Sequence, residues 1–265
     1  VETWRNITAV GATPLAVTNN LNFGNPQKPE IMGQIVGAVA GMGAACRALD
    51  YPVVSGNVSL YNETEGQAIL PTPVIGGVGL IDDVHKLCTP ALKKAGETLV
   101  AIGQSADRTD GWLGASLYLR EIAGREEGAP PPLDLAAERR TGDLVRGLIR
   151  DGKVSACHDV SDGGLLVTVA EMALAARGLG AAVDVPTGAL AHAWCFGEDQ
   201  GRYVVATADA DGVLAAAAAA RVPAATVGAV TADGDLKVGA GDLISVETLR
   251  QRHEAWLPDY MAGGS

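Results

Sequence analysis

The segment PVVSGNVSLYNET, residues 52–64, joins a short apolar run to a loop rich in asparagine, serine and glycine. Within it, residues 51–55 predict a short buried strand. Upstream, residues 29–49 carry apolar side chains at helical spacing, and Pro29 suits the first turn of a helix. Downstream, residues 73–81 predict another strand. The order strand, helix, strand, loop and strand is typical of the end of an α/β unit.

The chain before this segment predicts a strand over residues 7–18 and a loop over residues 19–27, where Asn, Gly and Pro are dense. After it, the pattern becomes polar and weak around residues 82–95. We therefore place a domain boundary near residue 92 and expect two domains, 1–92 and 93–265.

The second region mixes helices and strands. Val227–Lys237 predicts a strand and a hairpin whose turn is Asp233-Gly234. The other elements that the pattern predicts are strands at 98–103, 154–158, 181–185 and 202–207, and helices at 113–123, 134–151, 164–177, 211–220 and 246–257. The predicted fold class is therefore α+β, with α/β units.

The composition favours a well-packed acidic protein. The net charge is −11, and Lys and Arg never occur in runs longer than two, so a nucleic-acid-binding face is not expected. The apolar run 31–49 is interrupted by four glycines and an arginine, and we expect no membrane span there. Residues 1–20 have no signal-peptide pattern, so the expected location is the cytoplasm.

The four cysteines form no C-x-x-C pair, and three of them sit in apolar runs. Buried, reduced thiols are the favoured interpretation, and disulfides or a zinc site are the alternative. The cysteines are Cys46, Cys88, Cys157 and Cys195.

The loop that begins at Gly56 follows a strand directly, and ligands of α/β sheets gather at the carboxyl ends of strands. Gly56 would let a ligand approach the backbone. Asn57 offers a carbonyl oxygen of the kind that Mg²⁺ prefers, and Ser59 could donate to a phosphate oxygen. The residues alone leave the alternative, a polar hairpin loop, equally open.

Three further motifs have a structural and a functional interpretation. Asn22–Pro26 is either a helix-capping turn or a set of ligand-facing amides. In HDVSDGG, residues 158–164, the carboxylates of Asp159 and Asp162 could hold a cation, or Asp162 could cap the next helix. In FGEDQGRY, residues 196–203, we expect a surface ion pair between Glu198 and Arg202.

Taken together, PVVSGNVSLYNET with LNFGNP at 21–26 resembles the PurL family of phosphoribosylformylglycinamidine synthase subunits. DVSDGG at 159–164 and FGEDQGRYVV at 196–205 resemble the C-terminal domain of the wider aminoimidazole ribonucleotide (AIR) synthetase superfamily, which includes PurM. The resemblance covers essentially the whole chain. It implies a partial N-terminal-type α/β domain followed by a complete C-terminal-type α+β domain, with the first half of the family's protein absent.

The family's reaction is the ATP-dependent amidation of formylglycinamide ribonucleotide, with Mg²⁺, and with ammonia from a PurQ glutaminase assembled with PurS. Residue by residue, the resemblance implies that Asn19 and Gly56 contact ATP, Asn57 binds Mg²⁺ and Ser59 contacts the substrate. Many members have Asp where this chain has Asn19, which removes a negative charge. Asp159 and Asp162 are weaker candidates, either for a site or for structural support. No residue of this chain inherits a catalytic role.

Two alternatives remain open. One is another enzyme of the same superfamily, an AIR synthetase or a selenophosphate synthetase, against which GNVSLYNET argues. The other is a non-catalytic assembly module, in which apolar surface from residues 7–18 and 68–80 drives self-association. As a part of the PurL family's protein, the chain is expected to be inactive without the first half.

Overall fold

The structure, a computed structural model, describes residues 1–263 apart from the side chain of Asp242. The chain forms two compact units. Unit 1 comprises Val1–Thr8 and Ala12–Val84, and unit 2 comprises Ala9–Gly11 and the chain from His85 onward. The mixture of helices and strands confirms the predicted α+β class. The division into 1–92 and 93–265 stays a prediction.

Unit 1 is built around a three-stranded sheet. Strand β1 lies in the centre, parallel to β2 and antiparallel to β5. The elements are α1 (Glu2–Ala9), β1 (Thr13–Asn22), α2 (Pro29–Leu49), β2 (Val53–Ser59), a two-stranded hairpin of β3 (Glu63–Thr64) and β4 (Gln67–Ala68), and β5 (Thr72–Leu80).

The predicted strand over residues 7–18 and loop over residues 19–27 are wrong in part. Ile7 to Ala9 end helix α1, where Trp4 and Thr8, four residues apart, are both buried. The strand begins only at Thr13. It continues to Asn22, because residues 17–22 pair with β2 on one side and β5 on the other. Pairing with two neighbours outweighs the low strand propensity of asparagine.

Helix α2 confirms the predicted range of residues 29–49, and its C-terminal end packs on a small core of unit 1 that includes Leu49 and Val17. By length and composition alone, it is the one helix among the described residues that could cross a membrane, which is weak support for a span. Its two ends connect β1 and β2, which pair in parallel. Parallel neighbouring strands are usually joined by a crossover helix, and α2 has this structural role between β1 and β2. The prediction that no membrane is involved stays a prediction.

Unit 2 contains a seven-stranded sheet in the order β12-β11-β8-β10-β6-β9-β7. Its elements are β6 (Thr98–Gly103), α3 (Leu117–Ala123), α4 (Leu135–Arg150), β7 (Ala156–Asp159), α5 (Gly164–Ala175), β8 (Gly180–Val183), α6 (Ala191–Phe196), β9 (Arg202–Thr207), α7 (Ala210–Ala219), β10 (Ala224–Thr231), β11 (Asp235–Val238), β12 (Asp242–Ser245) and α8 (Val246–Met261).

This sheet is buried on both faces. On β6, Leu99 belongs to a cluster that includes Met172 of α5, whereas the next residue, Val100, belongs to a second cluster with Val145 of α4 and Val213 of α7. Because successive strand residues point to opposite faces, two separate cores form. A continuous apolar strand such as β6 is what this arrangement requires.

The predicted hairpin over Val227–Lys237 is wrong. Strands β10 and β11 do flank Asp233-Gly234, but they do not pair with each other. Strand β8 lies between them, antiparallel to β10 and parallel to β11. Gly180 at the start of β8 permits this insertion, because a Cβ there would overlap the backbone of Asp235.

Candidate functional site

The carboxyl halves of β1 and β2 bring the predicted unit 1 site residues into one row. Asn19 lies opposite Gly56, and Asn20 lies opposite Asn57. Ser59 ends strand β2. The residues from Gly56 to Ser59 are therefore part of a strand rather than the predicted loop. The row nevertheless ends at the carboxyl edge of two parallel strands, the position at which α/β sheets hold ligands.

Asn19 and Gly56 are in direct contact. A Cβ added to Gly56 would overlap Oδ1 of Asn19 and would lie 3.1 Å from its backbone oxygen. The amide of Asn19 therefore fills the space that a side chain at position 56 would take. Gly56 is thus needed for the packing of Asn19, in addition to any close approach by a ligand.

The hydroxyl group of Ser59 is engaged within the chain. Its Oγ donates to Oδ1 of Asn62 at 3.1 Å. The Nδ2 of Asn62 in turn donates to the carbonyl oxygens of Phe23 at 3.0 Å and Ser59 at 2.9 Å. Asn62, which the sequence did not single out, thus ties the end of β2 to the loop after β1. The lone pairs of Ser59 Oγ remain able to accept hydrogen bonds.

The loop that contains Asn22–Pro26 does not use an asparagine as helix cap. The N-cap residue of α2 is Lys28, whose side chain makes no capping hydrogen bond, and Pro29 takes the first helical position. Asn25 Oδ1 accepts from the backbone of Gln27 within a tight turn. Lys28 Nζ donates to Glu63 Oε1 at 2.7 Å, and this bond lowers the pKa of the Glu63 carboxyl. The loop is therefore held by contacts with residues 59–64.

The residues of this row can supply part of a magnesium site. Asn57 is exposed and offers one carbonyl oxygen. Mg²⁺ requires about six oxygen ligands, several of them water or phosphate. Within residues 1–263, no group of three or more His, Cys, Asp or Glu side chains is arranged to hold a metal. Asn57 fits the role of a single ligand to an ion whose other ligands come from a nucleotide, water or further protein groups.

Asp159 and Asp162 belong to unit 2 and have different surroundings. Asp159 is 6% exposed, and its Oδ1 lies 3.3 Å from Nδ1 of His158. The other ring nitrogen of His158 lies 3.0 Å from Oε2 of Glu171 on α5. Asp162 is exposed. Asp159 is therefore committed to an internal cluster, and the two carboxylates do not form a metal-binding pair with a third acidic or histidine ligand among the described residues.

His158 is expected to make stability depend on pH. Burial lowers the pKa of the imidazole, but hydrogen bonds and charges from Asp159 and Glu171 outweigh it and raise the pKa to about 9. The protonated ring therefore stabilises the fold fully below its ordinary pKa of 6.5, and this contribution is lost as the pH rises toward 9. Over this pH range we expect the free energy of unfolding to fall by about 2 kcal/mol, a value that already includes a reduction for solvent screening at the half-exposed Glu171.

Urea denaturation at about pH 6 and about pH 9.5 measures this effect. The variant His158→Gln should lose less stability than the unaltered chain between these two values. His253, which is exposed on α8, provides the control, and His253→Gln should retain the pH dependence of the unaltered chain. Equal pH dependence in the His158→Gln variant would contradict the prediction.

Gly163, at the start of α5, binds a carboxylate supplied by the chain itself. The predicted capping by Asp162 is wrong, since Gly163 is the N-cap residue, with φ of 77°. Its backbone nitrogen donates to Glu198 Oε1 at 2.8 Å. The same oxygen accepts from the nitrogen of Leu117 at 2.9 Å, at the start of α3. One carboxylate oxygen therefore satisfies donors at the N-termini of two helices.

The predicted surface ion pair between Glu198 and Arg202 is also wrong. Arg202 is only 4% exposed, and its guanidinium donates to the carbonyl oxygen of Gly197 at 2.6 Å. It also forms an ion pair with Asp199, at 3.5 Å. Asp199 also accepts from the backbone nitrogen of Trp112. The FGEDQGRY motif therefore holds loops of unit 2 together through hydrogen bonds. Its partners lie 35 to 87 residues away along the chain, so the local sequence does not predict them.

No disulfide joins the four cysteines among the described residues, and three of them are buried as predicted, whereas Cys46 is only partly buried. Burial raises the pKa of Cys88 and that of Cys195 to about 11. It also raises the pKa of Cys157 well above its ordinary value. Protonated, buried thiols of this kind are poor nucleophiles.

Comparison with protein families supports the resemblance noted in the sequence. The family described as AIR synthase related protein, C-terminal domain, matches residues 94–241. The corresponding N-terminal domain family matches residues 1–81. The first match alone covers more than half of the chain.

Among curated relatives, phosphoribosylformylglycinamidine synthase subunit PurL of Azorhizobium caulinodans is 61% identical over 263 residues. These residues are 98% of this chain but 35% of the relative, so the chain spans about a third of the length of the curated relatives it matches. The solved structure of T. maritima PurL with ATP has a TM-score of 0.69 and 20% sequence identity, and the match covers 93% of this chain and 39% of that structure. The structure of T. maritima PurL with FGAR has a TM-score of 0.71 and 19% identity, and the match covers 93% of this chain and 41% of that structure. The chain belongs to the AIR synthase related protein family, and the curated relatives that match along its length include PurL subunits.

Proposed function

We propose that this chain supplies one wall of the nucleotide and substrate site of a phosphoribosylformylglycinamidine synthase. The reaction is the ATP-dependent amidation of formylglycinamide ribonucleotide (FGAR) to formylglycinamidine ribonucleotide, a carbon–nitrogen ligation in purine biosynthesis. The observation that carries this proposal is the row of Asn19, Gly56 and Asn57 at the carboxyl ends of β1 and β2. The similarity to PurL relatives along the whole chain supports the choice of reaction.

Each residue of the row has a chemical role in this proposal. Asn19 and Gly56 contact ATP, with the Asn19 amide able to donate and accept hydrogen bonds. Asn57 gives one oxygen to Mg²⁺, which neutralises charge on the phosphates. Ser59 accepts a hydrogen bond from FGAR, since its proton is directed to Asn62. When bound, Mg²⁺ would polarise the phosphoryl group of ATP that is transferred. In the proposed reaction this group moves to the amide oxygen of FGAR, and ammonia then displaces it as phosphate.

The other components are proposals of the same kind. Ammonia is expected from a PurQ glutaminase assembled with PurS, and the catalytic groups are expected from the first half of the family's protein. Because the chain spans about 35% of its curated relatives, we expect it to bind only part of each ligand and to be inactive alone. The location that we propose is the cytoplasm.

Calorimetric titration of this chain with Mg-ATP, beside a full-length PurL relative, measures how much of the site the chain forms. In the full-length protein, Asn57→Ala should raise the KM for Mg-ATP about tenfold, the equivalent of about 1.4 kcal/mol for one lost ligand. Gln34→Ala, which removes an exposed amide from α2, is the matched control and should leave the kinetics unchanged. Unchanged kinetics in Asn57→Ala would exclude the proposed role of Asn57.

The assembly-module hypothesis also has one observation in its favour. Met32, Val36 and Val39 of α2 are 43%, 59% and 50% exposed in this chain. An apolar helix surface of this kind favours association with another protein surface. Sedimentation of the chain at high concentration measures the self-association that this hypothesis expects, and a strictly monomeric chain would count against it.

A further inference from the structure

Asn62 joins the end of β2 to the loop between β1 and α2. Its Nδ2 donates to the carbonyl oxygens of Phe23 and Ser59, and its Oδ1 accepts from Oγ of Ser59. Its backbone nitrogen donates to the carbonyl oxygen of Phe23 at 3.2 Å, and its own carbonyl oxygen accepts from the nitrogen of Ile69 at 3.1 Å. Each polar group of Asn62 therefore has a partner within unit 1.

These partners determine which end of the Asn62 amide faces the hydroxyl group of Ser59. A backbone carbonyl oxygen only accepts hydrogen bonds, so the amide nitrogen has to face the carbonyl oxygens of Phe23 and Ser59. The reversed amide would place Oδ1 against these two oxygens. Oδ1 therefore faces Oγ of Ser59. Because an amide oxygen only accepts, the proton of the Ser59 hydroxyl has to point toward Asn62.

The backbone around Asn62 holds this arrangement in place. Phe23 is fully buried, and its nitrogen donates to the carbonyl oxygen of Ser59 at 3.0 Å. The nitrogen of Tyr61 donates to the carbonyl oxygen of Gly24, also at 3.0 Å. Rotation of the Asn62 amide would break its hydrogen bonds against a backbone that these contacts fix. The Ser59 hydroxyl is thus kept in one orientation.

A Ser59 hydroxyl in this orientation offers only its lone pairs to a ligand. Its partner on the ligand therefore has to be a hydrogen-bond donor. FGAR carries donors in its ribose hydroxyls and amide N–H groups, whereas its phosphate is mainly a dianion at neutral pH and only accepts. Donation from Ser59 to a phosphate oxygen, which the residue type alone allowed, does not fit this geometry.

We propose that Asn62 is a positioning residue of the substrate site, which fixes Ser59 as an acceptor and thereby selects a donor group of FGAR, a ribose hydroxyl or an amide N–H. This inference rests on the contact between Ser59 and FGAR under the proposed function. The polar groups of Asn62 are engaged within the chain, so its effect on binding is exerted through Ser59. Dependence on Ser59 distinguishes positioning from a general structural role.

Calorimetric titration with FGAR, in a full-length PurL relative changed at the corresponding positions, tests this dependence. Ser59→Ala should weaken FGAR binding about tenfold, and Asn62→Ala should weaken it by about the same factor. Adding Ser59→Ala to Asn62→Ala should weaken binding by less than about threefold more. In an Asn62→Asp background, whose carboxylate still accepts the Ser59 proton, Ser59→Ala should again weaken binding about tenfold.

Three further readouts separate positioning from loosening of the loops. Asn62→Ala should change the affinity for Mg-ATP by less than about twofold. Asn25→Ala, the control, removes a side-chain hydrogen bond to Gln27 in the loop after β1, and it should bind FGAR as the unaltered protein does. The loss caused by Ser59→Ala should be equal at about pH 5.5 and about pH 7.5, because hydroxyl and amide donors do not titrate in this range, whereas a phosphate takes up a proton near about pH 6.

The possible failures are distinguishable. Unchanged FGAR binding in Ser59→Ala would overturn the proposed substrate contact, and this inference with it. If Ser59→Ala weakens binding but Asn62→Ala does not, or if the two losses multiply, the contact stands and the positioning role falls. An equal loss of Mg-ATP affinity in Asn62→Ala would show a general structural role. If melting shows that Asn62→Ala does not fold, a Ser59→Ala loss below about threefold in the Asn62→Asp background would still overturn the inference.

Discussion

Replacing Glu198 with alanine is expected to lower the free energy of unfolding of unit 2 by about 3 kcal/mol. The carboxylate is the shared acceptor for the backbone nitrogens of Gly163 and Leu117, at the starts of α5 and α3. Alanine leaves both donors without this partner. Gly163 is buried, so water cannot fully replace the lost acceptor. The favourable interaction of the negative charge with two helix N-termini is lost as well.

Two further variants separate these contributions in urea denaturation. Glu198→Gln retains an oxygen acceptor but removes the charge, and it should cost about 1 kcal/mol. Glu127→Ala removes an exposed carboxylate that pairs with Arg125, and it should change stability by less than about 0.5 kcal/mol. If Glu198→Ala costs no more than Glu127→Ala, then the two hydrogen bonds do not contribute as inferred.

Local patterns in the sequence were sufficient for most individual elements. The range of α2 follows from Pro29 at its start and an unbroken helical spacing to Leu49, and both are properties of neighbouring residues. Strand β6 could be predicted from a short, continuous apolar run, because a strand that is buried on both faces does not alternate between apolar and polar residues. The α+β class could be predicted for the same reason, since it depends on the kinds of element present.

Contacts between distant segments could not be predicted in the same way. The insertion of β8 between β10 and β11 depends on the close approach of Gly180 to Asp235, 55 residues away along the chain. The pairing of Glu198 with Gly163 and Leu117 is equally remote, and local spacing instead favoured Arg202 as its partner. In both cases the deciding interaction involves backbone groups, which the side-chain pattern does not record.

For the row on β1 and β2, the sequence predicted which residues belong to the site but not that they lie in paired strands. Gly56, Asn57 and Ser59 were candidates from their chemistry as well as from the resemblance, Asn19 was a candidate from the resemblance alone, and loops were expected for all four. The pairing of the two strands continues through these residues because β1 also pairs with β5 and is central in its sheet. The contact between Asn19 and Gly56 depends on strand register, which the sequence of either strand alone does not specify.

That contact predicts a specific coupling between the two residues. Gly56→Ala should lower the free energy of unfolding of unit 1 by about 2 kcal/mol, because the new Cβ would overlap the Asn19 amide and crowd its backbone oxygen. In a full-length PurL relative, the displaced amide should also weaken Mg-ATP binding about tenfold or more. Urea denaturation and nucleotide titration measure the two effects.

The double variant Gly56→Ala/Asn19→Ala identifies the cause. Removing the amide relieves the overlap, so the double variant should be more stable than the sum of the single changes predicts, by about 1 kcal/mol or more. Nucleotide binding should not recover, because Asn19 is itself one of the proposed contacts. Gly33→Ala is the control, since no atom lies within 4 Å of the added Cβ on the exposed face of α2, and it should stabilise by about 0.5 to 1 kcal/mol. Strict additivity would show that Gly56 is required for a reason other than Asn19, and recovery of binding in the double variant would show that the Asn19 amide does not contact the nucleotide.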